Sequence, residues 1–372
     1  MNPGVCTEWI LEQLERERNL NGLPLKQPLL QLENSSRTVC YSNSGTNLLM
    51  SSPQLSHFLA ELPSRPRLLR IVRGLARNEP GKISSLTDLR MCVASLVAEG
   101  KQFLQVNKEH DASEWLFILK EAIEKELPPV LKDQFVNILK IGIEVQYTCS
   151  SCGYQDQKLP EEHMALQLPV VNSSTKQPLD SLLALLNNYF TREEVEKRCH
   201  VCYFNKSWKQ LRLAVLPEVL LIQYMRFTSD GQKLGHNIQG DDTLKVNEVD
   251  YRLTGVLVHK GATRHSGHYY SITICSETGR CFCCNDAEIP NLLSKNQFFL
   301  ELMSCSMLVY EKQSVPEPNH PSVMEASTSS CKRKSSEPIT GIPNKMAAVQ
   351  EQEEEDSYPD LPSPGYVPLR RA

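Results

Sequence analysis

Apolar and polar positions alternate most clearly over residues 251–274. Leu253, Val256 and Val258 fall in one β-rich run and Tyr270, Ile272 and Ile274 alternate in the next, with a turn of Gly, Ser and Thr between them. That pattern predicts two adjacent strands. Strand character also marks residues 141–167, where Ile143, Val145 and Tyr147 alternate, and residues 208–215. Residues 219–227 form a nearly continuous apolar run, as a strand does when both of its faces are buried. Helical spacing appears over 53–62, 68–76 and 85–96, and again from Asp111 to about Leu127, where Pro128 and Pro129 stop it. A short amphipathic helix is expected over 179–190, and a surface helix over 7–19, with Thr7 as a cap and Trp9, Ile10 or Leu11, and Leu14 as a partial stripe. Residues 25–32 look extended. Residues 34–44 form a polar loop that feeds Leu48, Leu49 and Met50 and contains Cys40. A cysteine just before a helix lies where backbone amides and the helix dipole favour its thiolate.

Composition changes the picture at the C-terminal end. Residues 314–372 are rich in Pro, Ser and Glu, with Lys332, Arg333 and Lys334 together and an acidic run from Glu353 to Asp356, and read as a disordered tail. In the whole chain of 372 residues, 40% hydrophobic and 23% charged content is ordinary for a soluble globular protein. The net charge of -4 argues against a whole-chain nucleic-acid binder. No apolar run approaches the ~18 residues of a membrane span, and residues 1–9 lack the features of a secretory signal. Thirteen cysteines without an export signal point to reduced thiols, acting as metal ligands or as a nucleophile, in the cytoplasm or nucleus.

Two Cys-x-x-Cys pairs carry the strongest spacing signal: Cys149 with Cys152, and Cys199 with Cys202. Four thiolates on two tight knuckles make a tetrahedral zinc site with bonds of about 2.3 Å. The 46 residues between the pairs suit two hairpin tips brought together at the end of a β ribbon. Cys281, Cys283 and Cys284 lack the knuckle spacing, and strand packing explains them more simply.

A second constellation joins Cys40, His268 and Asn285: a thiol, a base to take its proton, and a side chain to orient the base. His268 opens a predicted strand behind Gly267, so a sheet fixes its position. Asn285 and Asp286 follow the next strand-like segment, where a side chain can accept the proton on the far ring nitrogen. His259 is the rival base and reads as a packed histidine; His110 and His265 read as solvated loop or helix-end residues.

These motifs resemble those of the ubiquitin-specific proteases, papain-like cysteine peptidases that hydrolyse ubiquitin conjugates, over most of residues 32–311. The nucleophile box matches Cys40, Tyr41, Ser42, Asn43 and Ser44, followed by Asn47, Leu49, Pro53 and Leu55. The Gln-Asp-Ala-x-Glu-Phe-Leu helix of the family is similar to the run from His110 to Leu116. The paired knuckles match Cys149, Cys152, Cys199 and Cys202. Leu216, Pro217, Leu220, Arg226 and Phe227 match the next box, and Tyr251, Leu253, His259, Gly261, Gly267, His268 and Tyr269 the one after it. Asn285 with Asp286 and Leu308 with Tyr310 complete the series.

The resemblance implies an α+β papain-like cysteine peptidase with thumb, palm and zinc-tipped fingers. The expected layout is a lead-in over 1–31, a catalytic domain over 32–312 and a tail over 313–372. Within the domain, the thumb spans 32–135, the fingers 140–212 and the palm 213–312. It further implies a thiol-dependent deubiquitinase, acting as a monomer on ubiquitin or ubiquitinated proteins and not on nucleic acid or membranes. Cys40 is the nucleophile and His268 the base. Asn285 orients His268, and Asp286 shares that role or binds the oxyanion water. The chain departs from the family before the nucleophile. Ser35 stands where the oxyanion-hole Asn belongs, Asn34 lies one position further out, and Arg37 replaces a Gly. Asn34 and Ser35 are thus the oxyanion-hole candidates, and a lost oxyanion donor costs about 10² to 10³ in turnover. Cys281 replaces the Trp expected before the Asn-Asp pair, and Asn47 the Gln of the nucleophile helix. The alternative implied by these departures is a ubiquitin-binding pseudoprotease.

Overall fold

The structure is a computed structural model that describes residues 27–313, apart from 78–81, 106–107 and 265. The helix expected over 7–19, the tail over 314–372 and His265 lie outside the described residues. The described part belongs to one compact unit.

The helices come first. A short strand β1 (Gln31–Leu32) leads to helices α1 (Cys40–Met50), α2 (Pro53–Ala60) and α3 (Arg67–Ala76). Strand β2 (Ile83–Ser84), which pairs with β1 in parallel, precedes α4 (Thr87–Leu96), a 3-10 helix (Ala98–Leu104), α5 (Ala112–Glu126) and α6 (Pro129–Leu139). Asp111 caps α5 by accepting the N–H groups of Ser113 and Glu114, and Ser52 caps α2 through Leu55 N. Helix α5 ends at Glu126, just ahead of Pro128 and Pro129 as expected, and Pro129 also begins α6, in the first turn, where a missing N–H costs nothing.

Two sheets follow. A ribbon is built on β3 (Ile141–Cys149), with β4 (Gln155–Gln157) and β5 (Glu161–His163) along one side. Strand β6 (Ala165–Pro169) lies within the span expected for the fingers, yet it joins the larger sheet. Helix α7 (Leu182–Phe190) and β7 (Glu193–Glu196) lead to β8 (Lys206–Val215), the antiparallel partner of β3. The larger sheet continues with β9 (Val219–Met225), β10 (Thr243–Val246), β11 (Val249–Thr263), β12 (Ser266–Ile274), β13 (Cys281–Cys284) and β14 (Asn291–Leu292). Helix α8 (Lys295–Ser304), closed by a Ser294–Gln297 capping box, precedes β15 (Met307–Lys312). The order across this sheet is β14-β13-β12-β11-β15-β9-β6, with β10 on β11; only β6 and β9 run parallel.

Period-2 burial divides the sheet between two cores. Val219, Leu221, Leu257, Tyr269, Met307 and Val309 face the helices. Leu220, Ile222, Val258, Ile272, Leu308 and Tyr310 face the other side, under Leu182 and Leu185 of α7 and Phe298 and Leu302 of α8. Just past β9, the buried Arg226 guanidinium donates to the carbonyls of Cys305, Leu234, His236 and Met303, so a charge without a carboxylate is satisfied by backbone.

Helix α1 passes between the sheet and α5, and all eleven of its residues are buried. Small residues permit this. A Cβ on Gly255 of β11 would lie 2.0 Å from Ser51 Oγ, and one on Gly45 would lie 2.9 Å from Ala112 O and from Trp115 Cδ1. The face of β12 toward α1 carries Ser271 and Thr273, whereas its other face carries Ile272 and Ile274. Several buried polar groups of this helix find partners: Asn47 bonds both ways to the Leu30 backbone, Ser44 Oγ donates to Cys40 O, and Thr46 Oγ1 accepts from Trp115 Nε1.

Candidate active site

Cys40 is the first residue of α1, so it opens the helix rather than lying in a loop ahead of it. Its side chain is buried and interacts with the imidazole of His268. His268 stands on β12, half-buried. Strand β13 pairs with β12 as far as Ser271 opposite Cys284, which brings the next residue, Asn285, beside the imidazole. His268 Nε2 donates to Asn285 Oδ1 at 2.6 Å. An amide oxygen accepts and cannot donate, so the proton stays on Nε2 and the lone pair of Nδ1 is left for the thiol. The interaction with Cys40 raises the imidazole to about 9 against the effect of burial, with Asn285 and the charges of Cys40 and Asp286 adding to it. The sequence-predicted Cys40, His268 and Asn285 are thus brought together.

Asp286 has a different setting. Its carboxylate accepts from Asn43 Nδ2 and from Asn34 Nδ2, both at 2.8 Å, and its carbonyl accepts from Leu32 N at 2.7 Å. Asn34 Oδ1 in turn accepts the N–H of Val39 at 3.1 Å. Asp286, at φ +49°, therefore ties the end of β13 to the loop before Cys40 and to α1 itself. The motifs contained no sign of Asn43's part in this, because an Asn within a nucleophile box reads as any other polar residue. Ser35 is exposed and donates to Glu33 Oε1 at 2.6 Å. Arg37 adopts φ +60°, so the loop keeps a left-handed residue without the Gly. A pocket of about 640 Å³ lined by Glu33, Asn34, Ser35, Arg37, His268 and Asp286 opens here.

The rival histidines are packed. His259 is buried between Phe227 and Tyr269, with burial holding it down to about 4. His110 is not a solvated residue: it is buried against Tyr41 and Phe103, ring centroids 5.1 Å away in each case, and burial lowers its pKa. Burial also pushes the Cys281 and Cys283 thiols up to about 11 and the Cys284 thiol up to about 12, as suits packing residues.

At the far end of the ribbon, Cys149, Cys152, Cys199 and Cys202 place their sulfurs within 4.8 Å of one another. Cys149 Sγ is 3.5 Å from Cys202 Sγ, and Cys152 Sγ is 3.7 Å from Cys199 Sγ. Four sulfurs bound tetrahedrally to one ion at about 2.3 Å stand about 3.8 Å apart. The cluster can therefore hold a metal ion. Backbone N–H groups of each knuckle lower Cys149 and Cys199, the first to about 6. No described helix is long and apolar enough to cross a membrane.

Comparison with known proteins places this site in context. The family model for ubiquitin carboxyl-terminal hydrolase matches residues 31–310. Ubiquitin carboxyl-terminal hydrolase 25 of Arabidopsis thaliana is 24% identical over 339 residues, covering 78% of this chain and 49% of the relative. Ubiquitin carboxyl-terminal hydrolase 36 of Drosophila grimshawi is 25% identical, covering 67% of this chain and 22% of the relative. This chain thus spans about half or less of the length of these relatives. Among solved structures, the SAGA DUB module of Ubp8, Sgf11, Sus1 and Sgf73 bound to monoubiquitin superposes with a TM-score of 0.63 at 20% identity, covering 85% of this chain and 77% of that one. The likeness is one of fold. With the family model matched across both the helices and the sheets, the chain belongs to the ubiquitin carboxyl-terminal hydrolase family, the ubiquitin-specific proteases that its motifs resemble.

Proposed function

We propose that this chain is a thiol-dependent deubiquitinase that cleaves the bond at the C-terminal glycine of ubiquitin. The observation that carries the reading is the meeting of Cys40, His268 and Asn285: His268 Nε2 donates to Asn285 Oδ1 at 2.6 Å, and the interaction with Cys40 raises the imidazole. Membership of the family supports the substrate class. In this reading residues 32–135 act as thumb, 140–212 as fingers and 213–312 as palm.

In the reaction, His268 Nδ1 takes the Cys40 thiol proton, the resulting thiolate attacks the glycine carbonyl carbon, and a C–S bond forms as the carbonyl oxygen becomes an oxyanion. The oxyanion collapses, the C–N bond breaks, and the His268 imidazolium gives its proton to the departing lysine amine. The thioester is then attacked by water, whose proton returns to His268, and the thiolate leaves. Asn285 keeps the proton on Nε2 throughout. Asn34 is our choice as oxyanion donor. Its Nδ2 carries two hydrogens, one of them given to Asp286, and the Ser35 hydroxyl is turned onto Glu33. Asn34→Ala should lower kcat about 10² to 10³-fold, and Ser35→Ala should change it less than about threefold.

Cys149, Cys152, Cys199 and Cys202 would hold zinc as a structural ion that gathers the ribbon tip; sulfur ligands and tetrahedral spacing support that metal. In this reading the chain works in the cytoplasm or nucleus, where thiols stay reduced. The deciding measurement is hydrolysis of a fluorogenic C-terminal amide of ubiquitin by wild type, Cys40→Ala and His268→Ala. Both variants should lose at least about 10³-fold. Equal rates for wild type and Cys40→Ala would reject the mechanism.

A further inference from the structure

The strand that carries His268 is held unevenly. Residues 271–273 of β12 pair with β11 on one side and β13 on the other, but β13 pairs no further back than Ser271. On the β11 side the ladder slips between Lys260 and Thr263, next to the start of β12. The base thus sits on a strand end that the sheet grips on one side, close to an irregularity.

Two acidic side chains also hold this end of the strand. Glu109 Oε2 accepts the N–H of Gly267 at 3.0 Å, and Asp111 Oδ2 accepts the Tyr269 hydroxyl at 3.3 Å. The two acids are two residues apart and so are their partners, and the partners flank His268 on either side. Asp111 is itself fixed as the cap of α5. Helix α5 lies on α1 where Gly45 meets Ala112 and Trp115, and α1 begins with Cys40. The nucleophile and the strand of the base are therefore registered against one pair of helices. A carboxylate that accepts a backbone N–H makes a stronger bond than a neutral acceptor would.

We infer that Glu109 is a positioning residue for His268: its carboxylate holds the Gly267 N–H, and with it the start of β12, at the place where the imidazole meets the Cys40 thiol. The inference rests on the assignment of His268 as the base. Asn285 sets the orientation of the ring, while Glu109 sets the position of the backbone beneath it.

Full-length wild type, Glu109→Ala, Glu109→Gln and His268→Ala are compared in two assays. On the ubiquitin C-terminal amide, Glu109→Ala should lose about tenfold or more in kcat with KM within about twofold and an unchanged melting temperature. Glu109→Gln, which keeps an acceptor oxygen, should recover to within about threefold of wild type. NMR titration of the His268 imidazole needs no substrate. In wild type the midpoint should lie above the ordinary histidine range; in Glu109→Ala it should fall toward that range, and in Glu109→Gln it should stay with wild type. Wild-type values of both kcat and titration in Glu109→Ala would overturn the inference, as would equal damage from Ala and Gln. Should wild type prove inactive on ubiquitin, the proposed function fails while the titration still decides the role of Glu109. If Glu109→Ala does not fold, Glu109→Asp, one methylene short of Gly267, is read by the same two assays with losses expected in the same direction.

Discussion

Helix α1 and the β3–β8 ribbon solve opposite problems. In α1 every residue is buried although Ser42, Asn43, Ser44, Thr46 and Asn47 are polar, and hydrogen bonds and small neighbours fit the helix that begins with Cys40 into its surroundings. In the ribbon, β3 is buried only at Ile141, Gly142, Ile143 and, at its tip, Cys149. Along its length Lys209 pairs with Glu193, Lys206 with Glu194, and the Arg192 guanidinium lies over Trp208. Exposed ion pairs contribute little each. The helix end is positioned by complementarity with its surroundings, and the ribbon tip by four thiols that need a ligand to gather them.

The largest expected effect lies at the tip. Cys199→Ser should abolish metal binding, which in structural zinc sites is worth about 10 to 16 kcal/mol, and hydrogen exchange should show residues 149–154 and 199–204 losing protection. The main thermal transition should stay in place; a matching collapse of the α1 core would break the comparison. Next in size is Gly255→Ala, whose added Cβ meets Ser51 Oγ at 2.0 Å. Overpacking there should cost about 1 to 3 kcal/mol in denaturant unfolding, and adding Ser51→Gly should recover part of it. A neutral Gly255→Ala would show that α1 is less tightly seated than its neighbours imply.

The pH dependence sharpens the α1 side further. His268 rises from 6.5 to about 9 on folding, through Cys40 first of all. A raised pKa stabilises the folded state in full below the unfolded value, and that share is lost as pH climbs from 6.5 through about 9. Unfolding midpoints should decline over that window in wild type, and less so in Cys40→Ser. Arg37→Gly has the smallest expected effect. Relief of the left-handed strain outweighs the added freedom of the unfolded chain by about 0.5 kcal/mol, seen as a small rise in melting temperature.

The legible parts of the chain were those governed by period or spacing. Strands β11 and β12 follow from alternation, β9 from its unbroken apolar run, and the cysteine cluster from two matched knuckles. Helix α1 is hard to read because its Ser, Asn, Gly and Thr are weak helix formers and burial on all sides leaves no apolar stripe. Helix α6 hides behind Pro129, a residue that stops one helix and serves equally well in the first turn of the next. Helix α8 had a readable signal in Ser294 and Gln297, the two ends of a capping box. At the site, Cys40, His268 and Asn285 were legible from motif order. Glu109 was not, because its partner is a backbone N–H, which every residue except proline carries.

Strand β15 lies between β11 and β9, near the middle of the sheet, yet it is the last strand of the described chain to leave the ribosome. A product truncated before Met307 would lack it and face water with two unpaired apolar strand borders, the situation most prone to aggregation. Premature stop codons in this gene should therefore yield insoluble material rather than a shortened working domain, even when every residue from Cys40 to Asn285 has been made.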